Sequence, residues 1–271
     1  MIGLNYLGKL GQLGNQMFQY AALKGIAAKH NYKTIIPSHN EVIVDALGNK
    51  LRIELFDAFD VPMGPMDVGY VPHNRDVHEP HYHFSQELLD RCPDNVSLVG
   101  YFQSEKYFKH IEDDIRKLFG PKKESKVCYE EVKELFDNPV ALHIRRGDFL
   151  INSVHHHNLS MKYYEEALKQ FDIDRQVIIF SDDTDWCKAQ PLFEGDRFLV
   201  CEGGGPYTDL YMMSKCDDFI IANSTFSWWG AWLSHNKDKL VIYPDKWFGP
   251  NNIDKSTEDL FPPEWRMINE H

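Results

Sequence analysis

The chain has 271 residues, enough for one large domain or two compact ones, and with 43% hydrophobic and 13% aromatic residues it can bury a sizeable core, which excludes a disordered protein. A formal charge of −12, from 29 basic and 41 acidic residues, makes nucleic acid and anionic membrane poor partners. Any anion that binds must be held by a local basic cluster against the overall field.

The first seven residues show no basic segment followed by a long apolar run, and no window of about 18 uninterrupted apolar residues occurs, so neither a signal peptide nor a transmembrane helix is expected. A strand at 2–6 leads into a glycine-rich turn, Gly8 to Gly14. A helix follows in which Phe18, Ala22, Gly25 and Ile26 recur at 3.6-residue spacing. A short strand at 34–36 ends at Pro37. Residues 46–103, rich in Pro and Gly, predict long loops with short strands and a surface for an acceptor. Ser104 then caps a helix with Tyr107, Phe108, Ile111, Ile115 and Leu118 on one face, stopped by Gly120-Pro121. The charged stretch 122–133 reads as a solvated helix face and marks a junction between domains 1–125 and 126–271.

From Pro139 the pattern becomes regular. Short, near-continuous apolar runs at 140–144, 177–180, 198–201, 219–222 and 240–243 alternate with helical patterns. That alternation predicts βαβ units and a parallel sheet covered on both faces. Cys92, Cys128, Cys187, Cys201 and Cys216 lack C-x-x-C spacing and read as reduced, mostly buried thiols.

The polar motifs follow these strands, where ligands bind in open α/β sheets. His143-Ile144-Arg145-Arg146-Gly147-Asp148 places two adjacent arginines at a strand end. Guanidinium forks match phosphate oxygens in bidentate fashion; the alternative is an Arg–Asp ion pair closing the strand. In Asn223-Ser224-Thr225-Phe226-Ser227, hydroxyls and backbone N–H groups at a strand-to-helix turn suit an anion, although Ser and Thr are also ordinary helix caps. Trp228, Trp229 and Trp232, at helical spacing, read as core.

The turn Gly8-x-x-Gly11-x-x-Gly14-Asn15-Gln16 matches neither a dinucleotide fingerprint nor a P-loop, yet it allows close backbone approach, and Asn15 and Gln16 can donate to oxygens. Ser181-Asp182-Asp183-Thr184-Asp185 contains D-x-D; a divalent-metal site and a helix N-cap are the two readings, the cap preferred. The run His155-His156-His157 lacks further ligands at metal spacing, and a single general-base histidine suits it better.

Together, residues 13–21 (Leu-Gly-Asn-Gln-Met-Phe-Gln-Tyr-Ala), 100–108 (Gly-Tyr-Phe-Gln-Ser-Glu-Lys-Tyr-Phe), 143–148, 180–183 and 223–233 resemble the α-1,2-fucosyltransferase family, glycosyltransferase family 11, nearly end to end. The resemblance implies an α/β fold of GT-B type, two facing Rossmann-like domains with parallel sheets, the C-terminal one binding GDP-fucose. It further implies inverting transfer of L-fucose to the 2-hydroxyl of a terminal galactoside in a glycan acceptor, with no cofactor and no metal required. By motif, Arg145 grips the donor phosphate, with Arg146 and His143 beside the nucleotide. Asp209 reads the guanine N–H edge. Ser224, Thr225, Phe226 and Ser227 offer hydroxyl and backbone donors, and Gly14, Asn15 and Gln16 reach the donor from the opposing domain.

The related α-1,6 enzymes carry a glutamate after their arginine motif where this chain has none, so Asp148 and His156 are the candidates for catalytic base, with transfer under little base assistance as the alternative; Arg145 is the third catalytic candidate, as the group that grips the donor phosphate. Lacking the membrane anchor of Golgi members, the chain is expected to be cytoplasmic, or peripheral at the inner membrane surface, in a microbe or virus; its oligomeric state is left open. The competing reading is a fucosyltransferase-like protein that binds nucleotide sugar or glycan without turnover.

Overall fold

The computed structural model describes residues 1–44, 50–62, 64, 67–72, 74–135 and 137–270. The chain divides into two compact units, Met1–Gly120 with Lys255–Pro262, and Pro121–Asp254 with the C-terminal stretch from Pro263. The sequence reading placed the junction at 125/126 and everything after it in the second half. The division falls instead at the Gly120-Pro121 helix stop, and residues 255–262 pack with the first unit. Buried Leu260 and the Asp259 carboxylate, which accepts the Phe84 N–H at 3.1 Å and pairs with Lys106, anchor that segment.

The strands of the first unit are β1 (Ile2–Gly3), β2 (Thr34–Ile35), β3 (Val42–Val44), β4 (Lys50–Arg52), β5 (Asp76–His78) and β6 (Val96–Val99); its helices are α1 (Leu13–His30), α2 (Leu55–Ala58), α3 (Gln86–Arg91) and α4 (Glu112–Leu118). Four strands form an all-parallel sheet of order β2-β1-β6-β5, and β3 pairs with β4 in antiparallel fashion. Helix α1 is buried along most of its length and ends at Asn31, whose left-handed φ of 55° closes the last turn. At Gly25 an added Cβ would lie 2.0 Å from the Tyr107 carbonyl oxygen, so glycine is what lets the following segment press onto the helix.

That contact reshapes the helix expected after Ser104. Ser104 does cap, but it caps a 3₁₀ turn at Glu105–Tyr107; a second turn at Lys109–Ile111 follows, and α4 starts only at Glu112. Phe108, at φ −136° and ψ 2°, makes the break. The rings of Tyr107 and Phe108 are both fully buried, and their packing overrides a continuous helix.

The second unit holds β7 (Val140–Ile144), β8 (Val177–Ser181), β9 (Phe198–Val200), β10 (Asp218–Ile220), β11 (Val241–Pro244) and β12 (Arg266–Ile268), with helices α5 (Lys123–Val132), α6 (Gly147–Ile151), α7 (Met161–Leu168), α8 (Thr184–Lys188), α9 (Gly205–Met213) and α10 (Thr225–Leu233). Its sheet is all parallel in the order β12-β11-β10-β7-β8-β9. From β7 the chain winds outward through β8 and β9; from β10 it winds the other way through β11 and β12. This is the doubly wound Rossmann order, with its switch point between β7 and β10. Val140, Leu142 and Ile144 of β7 pack with Tyr163, Tyr164 and Ala167 of α7. Trp228, Trp229 and Trp232 are core, as expected: Trp228 and Trp229 meet edge to face at 5.0 Å, and Gly230 lets α10 close against Met213 of α9.

Candidate active site

The polar residues of the second unit converge at the carboxyl ends of β7, β8 and β10. Strand register brings them together. Ile144 pairs with Ser181 across β7 and β8, so the next residues of the two strands stand side by side. Arg145 accordingly meets Asp182, Nη1 to Oδ2 at 3.0 Å, and Arg146 meets Asp183, Nε to Oδ2 at 2.9 Å.

The two arginines are held differently. Arg146 stacks on Trp186, its guanidinium carbon 3.8 Å from the ring centroid, and its backbone N–H donates to Asp182 Oδ1 at 2.9 Å. Arg145 donates from Nη2 to Asp148 Oδ1 at 2.5 Å and lies 5.4 Å over Phe149. Its Asp148 partner stands half in solvent, at 51% side-chain exposure. Of the two readings of the arginine motif, the ion pairs are the ones present, and they fix the orientation of both guanidinium forks. Asp183 is the expected N-cap of α8, accepting the Trp186 N–H at 3.2 Å, and among the described residues no cluster of three or more His, Cys, Asp and Glu could hold a metal ion.

Helix α10 starts beside this pair, because β10 neighbours β7. Asn223 fixes its approach by donating to the carbonyls of His157, at 2.8 Å, and Trp247, at 3.0 Å. Ser224 caps the helix, its hydroxyl accepting the Phe226 N–H at 3.3 Å. Thr225 and Phe226 are partly exposed, with their backbone at the helix start where N–H groups and the dipole favour negative charge. Ser227 is different: it is fully buried, and its hydroxyl is directed at the carbonyls of Ala222 and Ser224, at 3.4 and 3.2 Å. The hydroxyl expected to serve a ligand is spent inside the turn.

His143 is buried, its ring 5.5 Å from that of Phe226, and burial together with the neighbouring Arg145 charge pushes its pKa down to about 3. Its neutral imidazole carries Nδ1 buried without a hydrogen-bond partner among the described residues. Asp209, on α9, is pushed up to about 6 by burial, against the opposing hydrogen bond from the Cys201 thiol at 3.6 Å. The three consecutive histidines diverge: His156 stacks on Phe149 at 4.0 Å, and His157 pairs with Glu270 at 2.5 Å.

Of the first-loop residues, all in the first unit, Gly14 is buried at the start of α1. Gln16 spends both amide hydrogens on the Gly11 and Arg52 carbonyls and accepts the Glu54 N–H at 2.8 Å, so the donor role expected of it has no free N–H left. Asn15 is half-exposed, and its Oδ1 accepts from Gln103. Glu79 was not among the candidates read from sequence; Asp182 figured there only within the D-x-D segment, and Gln103 only within the 100–108 motif. The aligned ends of two adjacent parallel strands were the signal that could have pointed to Asp182.

The family model for glycosyl transferase family 11 matches residues 2–269. The chain belongs to this family. An Escherichia coli protein named as an α-1,2-colitosyltransferase is 29% identical, the alignment covering 95% of this chain and 96% of the relative. A galactoside 2-α-L-fucosyltransferase of Caenorhabditis elegans is 27% identical over 94% of this chain and 76% of its own length. The crystal structure of POFUT1 in complex with GDP superposes with a TM-score of 0.55 at 14% identity, covering 89% of this chain and 97% of that one. The likeness establishes the fold that this family 11 member shares with POFUT1, a GT-B-type α/β fold with a parallel sheet in each Rossmann-like unit. No helix among the described residues is long and apolar enough to cross a membrane.

Proposed function

We propose that this family 11 enzyme moves L-fucose from GDP-fucose to the 2-hydroxyl of a terminal galactoside in a glycan, with inversion and without a metal ion. The observation that carries the reading is the pairing of an anion-ready Arg145 with the α10 N-terminus at the switch point of the second sheet. Breaking the bond between fucose and GDP leaves negative charge on the departing diphosphate. Arg145 and the Thr225 N–H at the start of α10 are fixed donors for that charge, in place before the reaction begins. Arg146 and Asp182 hold Arg145's surroundings rigid, and Asp209 accepts from the guanine N–H edge.

The acceptor hydroxyl needs a base on the face opposite the leaving group. Asp148 and His156 are the candidates, and Asp148 suits the role only once the donor phosphate has drawn Arg145 away from it.

Colitose is the second donor sugar to weigh, because the Escherichia coli relative named for it matches nearly the whole length of both chains. A panel of GDP-fucose, GDP-colitose and GDP-mannose against lactose and the type 1 and type 2 disaccharides, with linkage analysis of products, tests the reading. A 1,2-linked fucosyl product is expected; transfer of another sugar only, or attachment at another hydroxyl, overturns it.

A further inference from the structure

In the second unit β9 ends at Val200, and the next residue, Cys201, is still tied to the sheet: its N–H donates to the Ile179 carbonyl of β8 at 2.8 Å. Its thiol reaches the helix that follows. Cys201 Sγ lies 3.6 Å from Asp209 Oδ1 on α9 and 3.9 Å from Met212 Sδ further along the same helix. A thiol has one hydrogen to give. Of these two acceptors the carboxylate is the nearer and, when ionised, much the stronger, since a thioether sulfur accepts weakly. Burial and the Asp209 charge push the Cys201 thiol up to about 12, so it stays protonated, and a donor, throughout the neutral range.

The loop between strand and helix contains Gly203-Gly204-Gly205. Gly203 and Gly205 take positive φ, 87° and 73°, where a side chain would be strained. At Gly204 an added Cβ would lie 2.9 Å from Thr208 Cγ2 and 3.3 Å from the same Asp209 Oδ1, so the loop backbone packs close to that oxygen. Oδ1 is thus engaged by the thiol and crowded by the glycine backbone, while Oδ2 makes no hydrogen bond to the described residues.

We propose that Cys201 is a positioning residue for guanine recognition: its S–H bond to Oδ1 fixes the plane of the Asp209 carboxylate so that it meets both N–H groups on the edge of the base. This rests on the reading that Asp209 accepts from guanine. Guanine presents its ring N–H and its exocyclic amino group side by side, and a carboxylate matches both only when its plane lies along that edge. The last torsion of an aspartate is otherwise broad. The thiol narrows it before the nucleotide arrives.

The test is calorimetry on the full chain above pH 7, with GDP and with inosine diphosphate, which lacks the exocyclic amino group. Cys201→Ala removes the donor. It is expected to weaken GDP binding about two- to tenfold and inosine diphosphate binding less than about twofold, so the preference for GDP falls. A merely structural loss lowers both affinities alike, and the ratio between them does not depend on how much of a variant is folded. Cys201→Ser, which keeps an O–H donor, retains more of the preference than Cys201→Ala does. In an Asp209→Asn background Cys201→Ala changes GDP affinity less than about twofold.

Equal losses for the two nucleotides, unchanged binding by Cys201→Ala, a Cys201→Ser enzyme no better than Cys201→Ala, or additive losses in the double variant each overturn the proposal. Asp209→Asn alone separates the two ways of failing. If that variant keeps the preference for GDP, the guanine reading falls and takes the proposal with it; if it loses the preference while Cys201→Ala keeps it, only the role of Cys201 falls.

Discussion

Arg146 lies flat on Trp186, 3.8 Å from the ring centroid, while its Nε donates to Asp183 at 2.9 Å. The neighbouring Arg145 instead bridges Asp182 and a half-exposed Asp148. One arginine is therefore built into the strand end, and the other is available to a ligand. Arg146→Lys loses the stack and the planar fork, and is expected to lower stability by about 1–3 kcal/mol. For a chain this long that corresponds to an unfolding temperature lower by very roughly 2–4 °C per kcal/mol. Loss of GDP binding with unfolding unchanged would contradict this division of labour.

Arg145→Ala should leave the fold intact, because its ion pairs are partly exposed and contribute little. Catalysis should suffer: removing one fixed donor for the leaving charge costs about 10²–10³-fold in kcat. Single-turnover assays at saturating GDP-fucose read this directly. A rate within a few-fold of the unmodified enzyme removes Arg145 from the mechanism.

If Asp209 accepts from the guanine edge, GDP binding should depend on pH. A carboxyl pushed up to about 6 by burial is protonated at mildly acidic pH, and only the ionised form accepts both guanine N–H groups. GDP affinity should thus be level above pH 7 and fall, by up to about tenfold per unit, as pH drops below about 6. Asp209→Asn should bind weakly with a flat profile; a sloping profile in that variant would mean that another group titrates.

Two buried groups act on stability with opposite sign over overlapping pH ranges. Burial pushes Glu79 up to about 7, against the Phe102 and Tyr101 N–H bonds, so the folded state holds its proton more tightly than the unfolded chain does. Its contribution is fully present below about pH 4.5, the ordinary glutamate value, and is lost as pH rises to about 7; the loss is at most about 3 kcal/mol. His143 is held neutral by burial and by Arg145, so its contribution is present above about 6.5 and is lost as pH falls towards about 3. Denaturant melts from pH 4 to 8 should show the first slope flattened in Glu79→Gln and the second in His143→Gln.

If leaving-group charge is carried by Arg145 and helix N–H groups alone, excess EDTA should leave transfer within about twofold of the untreated rate, since no step would then depend on a divalent Lewis acid. Activity that disappears with the chelator and returns with Mg²⁺ or Mn²⁺ would move the D-x-D segment back into the reaction.

How far the sequence could be read depends on the range of the interactions involved. Residues 140–144 form β7 as expected, because an apolar run buried on both faces has few alternatives. The α10 start and its three buried tryptophans were likewise legible, since capping and helical periodicity are local. The partners of the arginine pair were not: Asp182 and Asp183 lie more than thirty residues on, and only the register of β7 against β8 sets them opposite Arg145 and Arg146. Gln16 shows a subtler failure. Its chemistry suggests a ligand donor, but the Gly11 and Arg52 carbonyls take its amide hydrogens, and the Glu54 N–H occupies its oxygen, before a ligand arrives. The break at Phe108 has the same origin, a preference for helix overruled by where two aromatic rings find cover.

The return of residues 255–262 to the first unit has a practical consequence for dissecting the enzyme. The polypeptide passes from one unit to the other three times, so no single cut yields two complete pieces. A fragment ending at Gly120 lacks the Asp259 clasp and the Leu260 plug, and one beginning at Pro121 carries that stretch with nothing to receive it. Split versions that keep both units whole call for the eight-residue return to be replaced by a linker in one piece and supplied as a grafted tail to the other.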